Sequence, residues 1–386
     1  MSALPKERVP DKLALLVGSN PLPNYLAAIV LQPGEVILLY SPETREPCER
    51  LEAAFEERQI AVSNVAIDDA TDARKIHDAC ASLQVDHLHY SGGTKPMAAH
   101  ARKACKVGEA QASYLDERRG LLRFDDGYDL GLEQRDLGLT LERVLKLHGI
   151  ERVGPSTPVS GAPTAGDVAT LAQRILCESE VASKLFEFFR PEGKRRSFTQ
   201  AKSAPWMPND YNLSLSVTRV PDDEWTKARY EEWDEFLTGG WLERWTASLI
   251  RASLGEAASD IEVGVQCKRA RPSLTEFEID VALIRGHRLH VISCTTDQTK
   301  ALCKSKLFEV SMRARQMGGD LARSALVCLL DGSDAKGSYV DQLRADMASL
   351  WDAPNVPRAF GLAHLREWAG IAGAPNFGSM KEWLDS

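Results

Sequence analysis

Nowhere does this chain carry an apolar run near the roughly 20 residues that cross a bilayer. Met1 to Asp11 holds prolines and charges where a secretion signal needs an apolar stretch. Both absences set the expectation of a cytoplasmic protein with no membrane partner. CxxC pairs are missing as well, so the 8 scattered cysteines read as reduced, mostly buried residues and exclude a disulfide frame or zinc ribbon. Without GxxxxGK[ST] or GxGxxG, a P-loop triphosphatase or a dinucleotide enzyme has no support. A net charge of −8 excludes a broadly basic nucleic-acid coat. It leaves room for a local basic groove, because Lys268, Arg269, Arg271, Lys300, Lys304, Lys306, Arg313 and Arg315 gather around one stretch.

What is there is 386 residues, too many for one ordinary core, with 44% hydrophobic and 26% charged residues. The first 150 alternate strand, loop and helix. Strand candidates at Leu13 to Val17, Glu35 to Tyr40, Ser63 to Ile67 and His87 to Tyr90 alternate with helical stretches at Glu46 to Arg58, Ala73 to Leu83 and onward to Lys106. This order predicts a parallel sheet with helices on both faces, whose ligand loops share one rim at the carboxyl ends of the strands. Those loops are Gly18-Ser19-Asn20-Pro21 and Ser91-Gly92-Gly93-Thr94-Lys95. The second pairs two glycines with two hydroxyls and a cation at a helix start, a pattern suited to phosphate. A plain glycine turn capped by Thr94 is the alternative.

From 151 to 225 the glycine-proline stretches at 154–158 and 161–164 read as a linker. A helix over Asp167 to Phe189 follows, with Asp167 as its N-cap, and Lys194-Arg195-Arg196 reads as a solvated face. A new domain begins near Trp225. An amphipathic helix carries Trp241, Trp245, Leu249 and Ile250, with Glu243 in its first turn, where the plain alternative is an exposed acid. Strands at Ile261 to Cys267, Phe277 to Ile284 and Leu289 to Cys294 precede a helix at Ala301 to Met317 and a strand at Ala325 to Leu330.

Phe277-Glu278-Ile279-Asp280-Val281 is the informative stretch. Strand alternation would put Glu278 and Asp280 on one face, where a divalent metal can bridge them. The plain alternative for Glu278 is a cross-strand pair with Lys268 or Arg269, worth under about 1 kcal/mol. Cys294, with His290 on its face by alternation, lacks the partners of a thiol nucleophile. Trp351, Trp368 and Trp383 are expected to pack the tail onto the core.

Four stretches together carry a resemblance: Ser91-Gly92-Gly93-Thr94-Lys95, then Phe236-Leu237-Thr238-Gly239-Gly240-Trp241-Leu242-Glu243, then Glu278-Ile279-Asp280-Val281, and Lys306-Leu307-Phe308-Glu309 running on to Gly318-Gly319. The chain resembles the CARF-domain nucleases of type III CRISPR defence. The resemblance implies an α/β protein with a Rossmann-like CARF domain over 1–150. A small connector follows at 151–225, and a PD-(D/E)xK restriction-endonuclease-like domain occupies 226–386.

It further implies an antiviral, metal-dependent nuclease acting on single- or double-stranded nucleic acid. The activator is a cyclic oligoadenylate, expected to be the tetra-adenylate, bound across a homodimer by Gly18, Ser19, Asn20, Ser91, Gly92, Gly93, Thr94 and Lys95. Mg²⁺ or Mn²⁺ would sit on Asp280, Glu243 and Ser293, with Glu278 positioning the site or binding a second ion. The sequence departs from the family where an acid or serine, one residue and a lysine are expected: it has Ser293, Cys294 and Thr295. Either Lys304 or Lys306 brings the missing cation, or hydrolysis is lost and a ligand sensor remains.

Overall fold

The uninterrupted apolar runs of the first half become parallel strands because a strand covered on both faces has no solvent side to alternate toward. The computed structural model describes residues 4–105, 111–133, 137–154, 162–202, 215–216, 226–255, 261–269, 276–351, 355–371 and 373–386. Lys106, most of the glycine-proline linker, Trp225 and Arg271 lie outside them.

Strands β1 (Lys12–Leu16), β2 (Glu35–Tyr40), β3 (Ala61–Ala66), β4 (His87–His89) and β5 (Ala112–Asp116) run parallel in the order β3-β2-β1-β4-β5. Two short antiparallel strands, β6 (Leu121–Phe124) and β7 (Asp129–Gly131), extend the β5 edge. Helices α1 (Leu22–Leu31), α2 (Arg45–Glu56), α3 (Ala73–Ala81) and α4 (Lys95–Ala104) connect the parallel strands. Polar caps set two of their starts: Asp72 accepts the N–H groups of Arg74 and Lys75, and Thr94 accepts that of Met97.

After α5 (Leu141–Leu147) the chain gives β8 (Ile150–Arg152) to the second sheet, where it pairs antiparallel with β9 (Glu262–Arg269). The long helix expected after the linker is two: α6 (Ala165–Cys177) and α7 (Glu180–Phe189), broken at Glu178 and Ser179. Thr164, not Asp167, is the N-cap. Asp167 sits three residues on and returns a hydrogen bond to the Thr164 N–H, closing a capping box. The basic group before α8 (Phe198–Lys202) is exposed at Lys194 and Arg195, as a solvated face requires, although Arg195 and Arg196 also make contacts within the fold. Arg190 and Arg195 both grip Asp234, which is fully buried. Arg196 donates to the Phe188 carbonyl at 2.9 Å and lies 4.4 Å over its ring.

The second half begins with α9 (Lys227–Glu235), a π turn (Phe236–Gly240) and α10 (Trp241–Leu254). Next come β10 (Phe277–Arg285), β11 (Arg288–Thr295), α11 (Lys300–Gly318) and β12 (Arg323–Cys328). The small hairpin β13 (Ser333–Asp334) and β14 (Gly337–Ser338), α12 (Tyr339–Leu350), β15 (Arg358–Phe360), α13 (Leu362–Ala369) and α14 (Gly378–Asp385) complete it. The six-stranded sheet runs β15-β12-β11-β10-β9-β8, with α10 on one face and α11 on the other. Trp368 and Trp383 are buried in the core that α10 also joins, and Trp351 is half-buried on the α11 side. All 8 cysteines are free thiols, six of them buried. No described helix is long and apolar enough to cross a membrane.

His89 and His290 are fully buried, each with ring nitrogen unpaired among the described residues. Burial holds both neutral, at about 3. Their contribution to stability is therefore complete above the unfolded value of about 6.5 and is lost as pH falls toward the folded ones. The fall in unfolding free energy from pH 7.5 to 5.5, read from urea curves, should therefore be about 1 kcal/mol smaller in His290→Phe than in the unaltered protein, one histidine's share.

Candidate active site

The π turn is what aims the first acids. In a regular helix, residues eight apart stand about 80° apart around the axis. The wider turn between α9 and α10 removes that offset, and Glu235 and Glu243 line one cleft of about 830 Å³ with Glu278, Arg152, Arg244 and Gln266. Thr238 in the turn donates to the Asp234 carbonyl at 2.7 Å, and its own carbonyl accepts from Thr296 at 3.1 Å, tying the turn to the end of β11. Glu243 is half-buried, not exposed.

On β10 simple alternation fails at the acidic pair. Val265 and Ile279 pack on the α11 side, whereas Val263, Val281 and Leu283 pack on the α10 side, although all five positions are odd-numbered. The pleat is reversed where Gly264, at φ +63°, stands between Val263 and Val265, opposite the gap between Ile279 and Val281. Asp280 is delivered at this change of face. Its Oδ2 accepts the Cys294 N–H at 2.6 Å and the Ser293 hydroxyl at 3.0 Å. A small cavity of about 60 Å³ brings Glu278, Asp280, Ser293, Lys306 and Arg313 together.

Charge follows from this crowding. Burial, then the nearby Asp280, Glu278 and Glu235 carboxylates, push Glu243 up to about 8. Asp280 is also raised, chiefly by burial, against the two hydrogen bonds and the Lys306 ammonium that favour its charged form. Glu278 does not pair across the strands with Lys268 or Arg269: its register partner is Gln266, and Lys268 bridges to Glu151 at 3.4 Å. Lys304 turns away to Asp346 at 2.9 Å, so of the two candidate lysines only Lys306 lines the Asp280 cavity. Thr295, at the motif's lysine position, accepts the Asp297 N–H at 3.2 Å. Burial and the adjacent acids raise the Cys294 thiol, which points to Thr246, while His290 packs edge-on against Trp383 at 5.1 Å. Cys294 and His290 therefore form no thiol nucleophile.

The two loops of the first half do share a rim. A Cβ on Gly92 would fall 1.9 Å from the Leu16 carbonyl oxygen, and one on Gly18 would fall 2.9 Å from the Gly93 nitrogen, so the loops touch backbone to backbone. Lys95 and Ser19 are exposed there. Ser91 and Thr94 are engaged in the fold: Ser91 accepts the Leu115 N–H, and Thr94 caps α4 and donates to the Ala70 carbonyl at 2.8 Å. Asn20 is turned inward, against Gly319 and His148.

Residues 230–345 match the model of the Card1-like endonuclease domain. Can2 from Sulfobacillus thermosulfidooxidans, solved with cyclic tetra-adenylate, superposes with a TM-score of 0.71 at 18% identity, covering 97% of this chain and 100% of its own. The chain has the CARF-nuclease fold. Protein VC1899 from Vibrio cholerae shares it at TM-score 0.65 and 15% identity, over 92% of this chain and 95% of its own. A type III CRISPR defence DNA nuclease activated by cyclic oligoadenylate matches at TM-score 0.53 and 20% identity, over 83% of this chain but 46% of its own. No curated protein matches the sequence.

In CARF-nuclease terms, the first sheet is the CARF domain and the acids belong to the endonuclease half. Among the described residues, no three His, Cys, Asp or Glu side chains are gathered as a closed metal site requires. The donors nevertheless suit a hard divalent ion. Asp280 and Glu243 are carboxylates in a surplus of negative charge, and Mg²⁺ is commonly held by one or two carboxylates, with water and substrate phosphate filling the rest. Three residues of the CARF-nuclease frame escape a reading of the sequence. Glu235 and Arg244 reach the cleft only because of the π turn. Asn24 is fully buried below Gly92, its Nδ2 donating to the Leu16 carbonyl at 2.8 Å and its Oδ1 unpaired among the described residues. One polar residue inside the apolar stretch Leu22 to Leu31 was its signal.

Proposed function

We propose that this protein is a cyclic-oligoadenylate-activated, metal-dependent endonuclease of antiviral defence. The supporting observation is the Asp280 carboxylate, held by the Cys294 N–H and the Ser293 hydroxyl, close enough to Glu243 to raise it and sharing a cavity with Lys306. Asp280, Glu243 and Ser293 would hold Mg²⁺ or Mn²⁺, which when bound supplies charge stabilisation at the phosphate and a more acidic water. Ser293 and Cys294 fix the orientation of Asp280. Lys306 directs the attacking water toward phosphorus and offsets charge on the phosphoryl oxygens. Glu278 orders the cleft entrance. At the other end, the Gly92, Gly93 and Lys95 rim with Ser19 would take the activator's phosphates, in a homodimer whose two copies present the same loop to a two-fold ligand.

The test is a cleavage screen on single-stranded and supercoiled nucleic acid, with and without Mn²⁺ and cyclic tetra-adenylate. Cutting that requires both is expected; no cutting on any substrate refutes the reading. Thr295 favours a second reading, a sensor that has lost hydrolysis, in which removing Asp280 changes no ligand-dependent behaviour.

The lysines separate sharply. Lys306→Ala should slow stimulated cleavage about a hundredfold, the usual cost of one charge-stabilising group. Lys304→Ala, which breaks only the Asp346 pair, should leave the rate within about twofold, since exposed pairs are worth under about 1 kcal/mol. Initial rates at saturating activator decide between them.

A further inference from the structure

Asn20 starts in the activator loop and ends in the endonuclease half. The Cβ that any other residue would carry at position 319 falls 1.8 Å from Asn20 Nδ2 and 2.6 Å from its Cγ. The Asn20 amide thus fills the place of a side chain at the end of α11. Gly319 has φ +61°, a backbone conformation that glycine takes at little cost. Asn20 is itself held: its Oδ1 accepts the Leu22 N–H at 3.1 Å and lies 3.2 Å from His148 Nε2. Around the same terminus, Gly318 lies close against Leu289 and Ala322, and Asp320 pairs with Arg315 at 3.1 Å. Across the junction, burial and Asp320 push Glu117, in the turn between β5 and β6, up to about 7.

From this terminus α11 runs back as one helix, Lys300–Gly318, a span of roughly 27 Å. Lys306, Glu309, Val310 and Arg313, along its middle, line the cavity of Asp280 and Ser293, Lys306 standing roughly 18 Å along the axis from Gly318. One rigid element therefore touches the activator loop at its last turn and the catalytic cavity along its middle. We propose that Asn20 is a positioning residue, not a ligand contact: by abutting Gly319 it sets the placement of α11, and with it Lys306, according to the state of the Gly18–Asn20 loop. This rests on the activated-nuclease reading above. A contact with no room for a methyl group has no slack, so a displaced loop moves the helix instead of compressing the gap.

Three variants of the full chain test it: Asn20→Ala, Gly319→Ala, and Asn20→Gly combined with Gly319→Ala. Calorimetry with cyclic tetra-adenylate gives activator affinity, initial rates with and without it give stimulation, and melting midpoints report folding. Each single variant should bind the activator within about threefold of the unaltered protein, while the ratio of stimulated to basal cleavage falls about tenfold or more. The pair, in which the new methyl group meets space, should recover part of that ratio, a non-additivity that a general loss of stability does not produce. Asn20→Ala removes a contact without adding bulk, so it remains informative should Gly319→Ala fail to fold. Full stimulation in Asn20→Ala, or lost activator binding there beside full stimulation in Gly319→Ala, overturns the proposal alone. No stimulation in the unaltered protein overturns the nuclease reading and this proposal together.

Discussion

Asp280→Asn should lower activator-stimulated, metal-dependent cleavage by about a thousandfold or more, the equivalent of some 4 kcal/mol of transition-state stabilisation. Asparagine keeps the shape of the side chain and an oxygen for the Cys294 N–H bond, so the substitution removes charge and little else. The melting midpoint should hold or rise slightly, because Glu243 loses its first-ranked repulsive neighbour. That combination, rate lost and fold kept, separates a catalytic carboxylate from a structural one. Cutting by Asp280→Asn within tenfold of the unaltered protein would move the catalytic centre elsewhere.

Asp234→Ala should act on stability instead. The carboxylate is fully buried and clamped by two guanidiniums that are only partly covered, Arg190 at 20% side-chain exposure and Arg195 at 48%. Removing one partner of a buried ion pair typically costs 3–5 kcal/mol. Because both arginines can rehydrate here, about 3 kcal/mol is expected, a fall of about 5–10 °C in melting midpoint. Asp234 lies directly before Glu235 and the π turn, so residual activity at low temperature should also drop. A midpoint shift below about 2 °C would mean that the clamp contributes little.

The sequence made the parallel strands legible because Leu13 to Leu16 and Val36 to Leu39 are apolar without interruption, as a doubly covered strand must be. It hid α1, where nine of ten residues are buried and no polar stripe marks a period. It also hid β7 and β8, three residues each with charges in them, whose strand character comes from partners and not from their own composition. The candidate acids were readable as residue types: Asp280 and Glu278 lie close enough to raise Glu243, and Glu278 close enough to raise Asp280. Their geometry was not readable. The reversed pleat depends on Gly264 across the sheet, and the underwound turn that recruits Glu235 depends on packing. Lys304 and Lys306 are equivalent in sequence until Asp346 claims one. Asn20 looks like a loop residue because its partner, Gly319, is about 300 positions away.

β8 joins a sheet to which the residues on either side of it do not belong. A fragment beginning at residue 226 would start without that strand and without α6 and α7, whose apolar faces share a core with α10. The backbone groups of β9 that pair with Ile150, Glu151 and Arg152 would then face water as a bare ladder, open to the same ladder on another copy. Such a fragment should self-associate on dilution from denaturant, whereas one beginning near residue 140 should stay monodisperse. Surgical separation of the two halves thus has to leave the first half's last strand with the second.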